Sequence, residues 1–502
     1  MTRSSPAPAG PTSAFDPEDW DAFRALGRRM VDDLVDQLQG LADGPVWRPM
    51  PEAVRASFRR EALGAPQPLE AVYADYLETV APYAGGNRHP GFMGWVQGGG
   101  APVGALAEML AAGLNMNCGG RDHVGIALEQ QIGLWVRDWF GFPATARGLF
   151  VTGASMANFA ACLAARSRAL GPEARVRGVG PARLTAYAAQ GAHACVVRAM
   201  EMAGLGREAL RLVPLNADFQ MDIKALEGLI QADVEAGLQP FLITATAGSV
   251  DVGAFDDLVA LAEMAERRGL WLHVDGAFGA LGVHSARVRP KLAGLDRAQS
   301  VAFDFHKWGQ VPYDAGFVIV ADGAGLTDVF ASPAAYLSRE PEGLAAGDFW
   351  PTDYGPDLSR GCRALKTWFI LRTCGVEAIG AAIDTGLDLA CALRARIAAA
   401  PRLEQLGPSE LNIVCFRYRP DPAIGDGGAA ALDDLNREIA RRLQIKGRVA
   451  PSVTRIDGKV ALRAALFNPR ATLSDINALV DGALLEGAEL AGKATHDQPS
   501  RN

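Results

Sequence analysis

The rhythm of apolar and polar residues changes twice along the chain. From Asp16, apolar residues recur at Phe23, Leu26, Met30, Leu34 and Leu38. That is the spacing of an amphipathic helix. Two more helices are expected near 51–63 and 68–80. From about Gly86, short apolar runs alternate with amphipathic ones. "GLFVTGASMANFAACLAARSRAL" passes from a strand through a glycine turn into a helix, and "LTAYAAQGAHACVVRAMEMAG" repeats the pattern. "QPFLITATAGSVDVGAFDDLVALAEMAERRGLWLHVDGAFGA" reads strand, loop, helix, strand. "SVAFDFHKW" and "GFVIVAD" add two short strands. Such alternation predicts an α/β fold with a mainly parallel sheet flanked by helices on both faces. Past about Gly375 come helix, a strand at "LNIVCFRYRP", a helix near 430–444 and a strand at "KVALRAALFNP". The expected division is a disordered lead-in (1–15), a helical arm (16–85), a large domain (86–375), a smaller α+β domain (376–492) and a disordered tail (493–502).

Composition narrows the function. The 502 residues are 49% hydrophobic and 21% charged, an ordinary globular balance. The net charge of −8 argues against a nucleic-acid partner. No apolar run has membrane-spanning length, so no membrane partner is expected. "MTRSSPAPAGPTSAF" has no apolar core stretch and is not expected to be a secretory signal. Seven dispersed cysteines suggest reduced thiols in a cytoplasmic setting, without metal-ligand spacing. No metal is expected.

In a parallel sheet, ligands sit at the carboxyl ends of the strands. Those ends carry a specific set here. "TGAS" (152–155) opens a helix, His193 follows "LTAYAA", Thr246 ends "FLITAT", Asp275 ends "LWLHVD", and His306 and Lys307 follow "SVAFDF". A helix start with small residues binds phosphate. A strand-end lysine forms a Schiff base with a carbonyl, and a nearby aspartate can hold a ring nitrogen protonated. Together these residues describe a pyridoxal 5′-phosphate site.

"HVDGAFGA" followed by "FDFHKW", with 32 residues from Asp275 to Lys307, resembles the group II pyridoxal-phosphate-dependent amino-acid decarboxylases. So do "NRHPGFMGW" (87–95), "GLFVTGASMANF" (148–159), "ATAGSVDVGAFD" (245–256) and "SRGCRALKTWF" (359–369). The resemblance implies the type I pyridoxal-enzyme fold and decarboxylation of an L-amino acid, here expected to be aromatic. It implies Lys307 as the Schiff-base lysine, Asp275 as partner of the ring nitrogen, and His193 stacked on the ring beside the substrate carboxylate. Ala154 and Ser155 would hold the phosphate with His306 nearby, Thr246 would sit beside the ring, and Ala277 against its other face. Tyr336, in "FASPAAYLSREPEGL", matches a loop tyrosine that protonates the product carbon. Trp95, Val96 and Arg121 fall where the family lines its substrate pocket. The family is also usually a homodimer with active sites at the interface, which suits a helical arm with an exposed apolar face.

Blander readings stand beside these. Lys307 taken alone is a strand-end lysine emerging into water. Asp275 and Ser155 could be helix caps, and His193 a hydrogen-bonded core histidine. Tyr336 could simply pack, and Arg121 could be a structural ion-pair partner. "FDFHKW" also departs from the "NPHK" common in aromatic decarboxylases, since Asp304 puts an acid near the phosphate. Rival functions are an aldehyde synthase on the same scaffold, a decarboxylase of acidic or sulfur amino acids, and a non-catalytic descendant.

Overall fold

The computed structural model describes residues 14–59, 63–332, 334, 338–422 and 427–496. The chain divides after Gly85 into two compact units. In the first, helix Trp20–Gln39 starts at Asp19, whose carboxylate accepts the N–H groups of Asp21 and Ala22 at 2.8 and 3.0 Å. That cap satisfies two donors that a helix start leaves free. Short helices follow at Glu52–Ser57 and Leu69–Asp75, the latter continuing as a π-helical turn, Tyr76–Val80. Tyr73, in helix Leu69–Asp75, donates its hydroxyl to Asp33 of the first helix at 2.7 Å.

The strands of the second unit are β1 (Phe92–Met93), β2 (Arg147–Val151), β3 (Leu184–Ala189), β4 (Leu210–Val213), β5 (Gln239–Thr246), β6 (Trp271–Asp275), β7 (Ser300–Asp304), β8 (Gly316–Val320), β9 (Leu403–Leu406), β10 (Ile413–Tyr418), β11 (Ala450–Ile456) and β12 (Lys459–Ala465). The larger sheet has the order β2-β8-β7-β6-β5-β3-β4. β8 runs antiparallel to β2 and β7, and all other neighbours are parallel. Helices Ala154–Leu170, Ala194–Met202, Ile223–Glu235 and Leu258–Arg268 make the connections between β2 and β6. Alternate strand residues feed two cores. Ile243, Val274, Phe303 and Phe317 enter one; Leu242, Ala302 and Val318 enter the other. Both faces are dry, which is why these strands read as continuous apolar runs.

The smaller sheet has the order β1-β11-β12-β10-β9, antiparallel except for the parallel pair β1–β11. Residues far upstream of 376 therefore complete it. The helix Arg363–Ala398 is broken at Gly375, where φ is 75°. The last helix runs from Leu473 to His496, past the end expected at 492. Lys493 and Ala494 are good helix formers and carry it on. No helix among the described residues is long and apolar enough to cross a membrane.

Candidate active site

Strand register gathers the expected chemistry at one edge. Thr246 ends β5 opposite Asp275, and Asp275 ends β6 opposite Ala302 of β7. His306 and Lys307 follow in the turn after β7. These ends line a cavity of about 510 Å³. Trp95, Val96, Ala154, Ser155, His193, Thr246, Asp275, Ala277, His306 and Lys307 all contribute to it. Arg121 does not. Its guanidinium carbon lies 4.7 Å from the ring centre of Trp350. Tyr336 lies outside the described residues.

Asp275 is buried, and its Oδ1 accepts the Ala277 N–H at 3.2 Å. Its Oδ2 lies 3.8 Å from the Cys195 sulfur. Burial pushes the carboxyl up from its ordinary range, against the opposing pull of Lys307 and His193. His193 caps helix Ala194–Met202, with Nδ1 accepting the Cys195 N–H at 3.2 Å. That leaves Nε2 as the ring nitrogen that can donate. Thr246 is fixed through its backbone, whose N–H donates to Asp256 Oδ2 at 2.7 Å. Its own hydroxyl is buried and has no hydrogen-bond partner among the described residues. A buried hydroxyl in that state is costly unless something else engages it.

Lys307 Nζ lies 2.9 Å from Asp304 Oδ2. The other oxygen of Asp304 accepts the Ala154 N–H at 2.7 Å. His306 Nδ1 accepts the Ala315 N–H at 3.1 Å, and its ring packs on Tyr313 with centroids 4.3 Å apart. Burial lowers the His306 imidazole and pushes the Tyr313 phenol up to about 12. Gly98 lets a second chain segment press on this turn. A Cβ there would sit 2.4 Å from the His306 carbonyl oxygen and 2.7 Å from that of Lys307. Only glycine permits so close an approach.

The smaller sheet closes the cavity with Ser452 and Val453 of β11 and Arg463 of β12. Arg463 donates to Ser452 Oγ at 3.3 Å and to the Val250 carbonyl, while its buried Nε has no partner among the described residues. The motif reading misses these residues and Tyr313. A lone arginine inside the apolar run "KVALRAALF" is the one signal the sequence carries for them.

A sheet of this order, with a lysine and a buried carboxylate at its strand ends, defines an α/β enzyme of the pyridoxal class. The family model described as "Pyridoxal-dependent decarboxylase conserved domain" matches residues 51–419. The aromatic-L-amino-acid decarboxylase of Bacillus atrophaeus is 30% identical over 463 residues, spanning 91% of this chain and 93% of the relative. Tyrosine decarboxylase of Oryza sativa subsp. japonica is 31% identical over 461 residues, spanning 87% and 85%. Phenylacetaldehyde synthase of Arabidopsis thaliana is 26% identical over 477 residues, spanning 92% and 94%. Among solved structures, Oryza sativa TDC with PLP and tryptamine shares the fold, with a TM-score of 0.85 at 24% identity over 96% of this chain and 99% of that one. The chain belongs to the pyridoxal-dependent decarboxylase family. It is a pyridoxal-phosphate-dependent carboxy-lyase.

Proposed function

We propose that the enzyme decarboxylates an aromatic L-amino acid to its amine and CO2, with pyridoxal 5′-phosphate seated against Lys307. The observation that carries this reading is the convergence on one cavity of the Lys307 amine, the Asp275 carboxylate and the Thr246 hydroxyl, which has no partner among the described residues. That donor set fits the cofactor: an amine for its carbonyl, a carboxylate for its ring nitrogen and a hydroxyl for a ring oxygen. The bound cofactor supplies an electron sink for the pair left when the C–C bond breaks.

The chain's own residues do the rest. Asp275 keeps a proton on the ring nitrogen, where its buried charge is repaid by a cationic partner. The start of helix Ala154–Leu170, with Ser155 and His306, holds the phosphate end. His193 covers one face of the ring and offers its Nε2 proton to the substrate carboxylate. Ala277 covers the opposite face. Trp95 and Val96 give the outer cavity an apolar wall that suits an aromatic side chain. Arg121, held over Trp350, takes no part in this pocket within the chain. Tyr336 is assigned the final proton transfer to carbon on the resemblance alone.

The enzyme is further proposed to be a cytoplasmic homodimer. Leu106, Met109, Leu110 and Leu114 leave an apolar face of helix Pro102–Leu114 exposed, which supports a partner copy. Light scattering on the purified protein tests the dimer.

Product mass spectrometry with a panel of aromatic, acidic, basic and sulfur amino acids tests the substrate. Amine from tryptophan, tyrosine or phenylalanine is expected. Amine from acidic substrates alone would overturn the aromatic reading. The similarity to phenylacetaldehyde synthase supports a second reading, oxidative deamination to an aldehyde. Aldehyde with hydrogen peroxide from the unaltered enzyme would establish it and remove the role given to Tyr336.

A further inference from the structure

Asp304 ends β7 with a side chain 3% exposed. Its two oxygens are divided between two tasks. Oδ1 accepts the N–H of Ala154 at 2.7 Å. Oδ2 lies 2.9 Å from Lys307 Nζ and 3.5 Å from His306 Nε2. Ala154 opens a 17-residue helix whose cap, Gly153, makes no side-chain hydrogen bond. The carboxylate therefore sits at the positive end of that helix, where an anion is most stabilised.

The phosphate hold proposed above uses the same helix start. A phosphate arriving there meets a buried charge of its own sign, already bonded to the amide it needs. Asp304 thus exerts two opposed effects. It aims the Lys307 amine, which helps any carbonyl ligand. It also contests the Ala154 N–H, which penalises only a ligand that carries an anion to the helix start.

We infer that Asp304 is an internal anion that limits how strongly this site prefers a phosphate-bearing cofactor over its unphosphorylated form. The inference rests on the cofactor placement proposed above. The two effects separate when ligands with and without phosphate are compared. Asp304→Asn keeps an oxygen for the Ala154 N–H, removes the charge and adds an N–H donor for a phosphate oxygen.

The test is equilibrium binding of pyridoxal 5′-phosphate and of pyridoxal to the full-length protein, freed of cofactor, followed by visible absorbance. In Asp304→Asn the ratio of the pyridoxal Kd to the pyridoxal phosphate Kd should rise by about tenfold or more. Weaker aiming of Lys307 affects both ligands and cancels in the ratio. Asp304→Ala should raise the ratio in the same direction, which keeps the test usable if the asparagine variant does not fold. A ratio that stays unchanged or falls, with absorbance still dependent on Lys307, overturns this inference alone. Cofactor absorbance that survives Lys307→Ala overturns the cofactor placement and this inference with it.

Discussion

Two groups of buried charge lie in the second unit, and they are built in opposite ways. Arg360 and Glu129, with side chains 2% and 3% exposed, form a double ion pair at 2.7 and 3.1 Å. Arg360 also donates to the carbonyls of Cys118 and Phe150, and Glu129 accepts the Phe150 N–H at 2.9 Å. Neither has a buried polar atom left without a partner. The cavity cluster is incomplete by contrast. Among the described residues, Thr246 Oγ1 and Arg463 Nε have no partner. A closed network specifies the fold, whereas an open one holds donors and acceptors ready for something not yet bound. Thr246, Asp275 and Arg360 all fall in stretches that resemble the family, so likeness of sequence alone does not tell the two clusters apart.

The contrast breaks most visibly at Lys307. Lys307→Ala should abolish visible cofactor absorbance and lower turnover by roughly a thousandfold or more, an effect on function that exceeds its effect on folding. The closed pair should behave in reverse. Arg360→Met strands a buried carboxylate and should cost about 3–5 kcal/mol in urea unfolding. Adding Glu129→Leu should restore most of that loss, because it removes the stranded charge.

His273 sharpens the comparison through pH. It lies on β6 behind the cavity, bonded to Ser300 Oγ and Asn158 Oδ1, each at 2.8 Å. Burial lowers it from 6.5 to about 4. The unfolded chain therefore takes up a proton first as pH falls. Its contribution is complete above about pH 6.5 and is lost as pH drops toward 4, in all roughly 3 kcal/mol. Urea unfolding across that range should show the slope, and His273→Gln should flatten it. Thr246→Val should have the smallest effect on folding, under about 1 kcal/mol, since its hydroxyl makes no bond among the described residues. It should still weaken cofactor binding by roughly three- to tenfold, read by absorbance titration.

Legibility in the sequence followed the same physics. "FLITAT" and "SVAFD" read plainly as strands because both faces of the sheet are buried. β1 is two residues long, too short to carry a period, and the four residues of β9 do not alternate. Asp275 and Lys307 were readable because each ends an apolar run. Tyr313, Ser452 and Arg463 reach the cavity through tertiary packing, which local spacing does not encode. The charge of Arg121 suggested a pocket, but its nearest aromatic face is Trp350, far along the chain.

The most direct test of the account is chemical capture of the cofactor. Borohydride reduction of the holoenzyme, followed by peptide mass spectrometry, should find a pyridoxyl group on Lys307. Lys366 is the built-in control. Its side chain is 2% exposed against 18% for Lys307, it pairs with Glu108 at 2.9 Å away from the cavity, and it should stay unmodified. The label on Lys366 or any other lysine, with Lys307 bare, would contradict the assignment of this cavity as the active site.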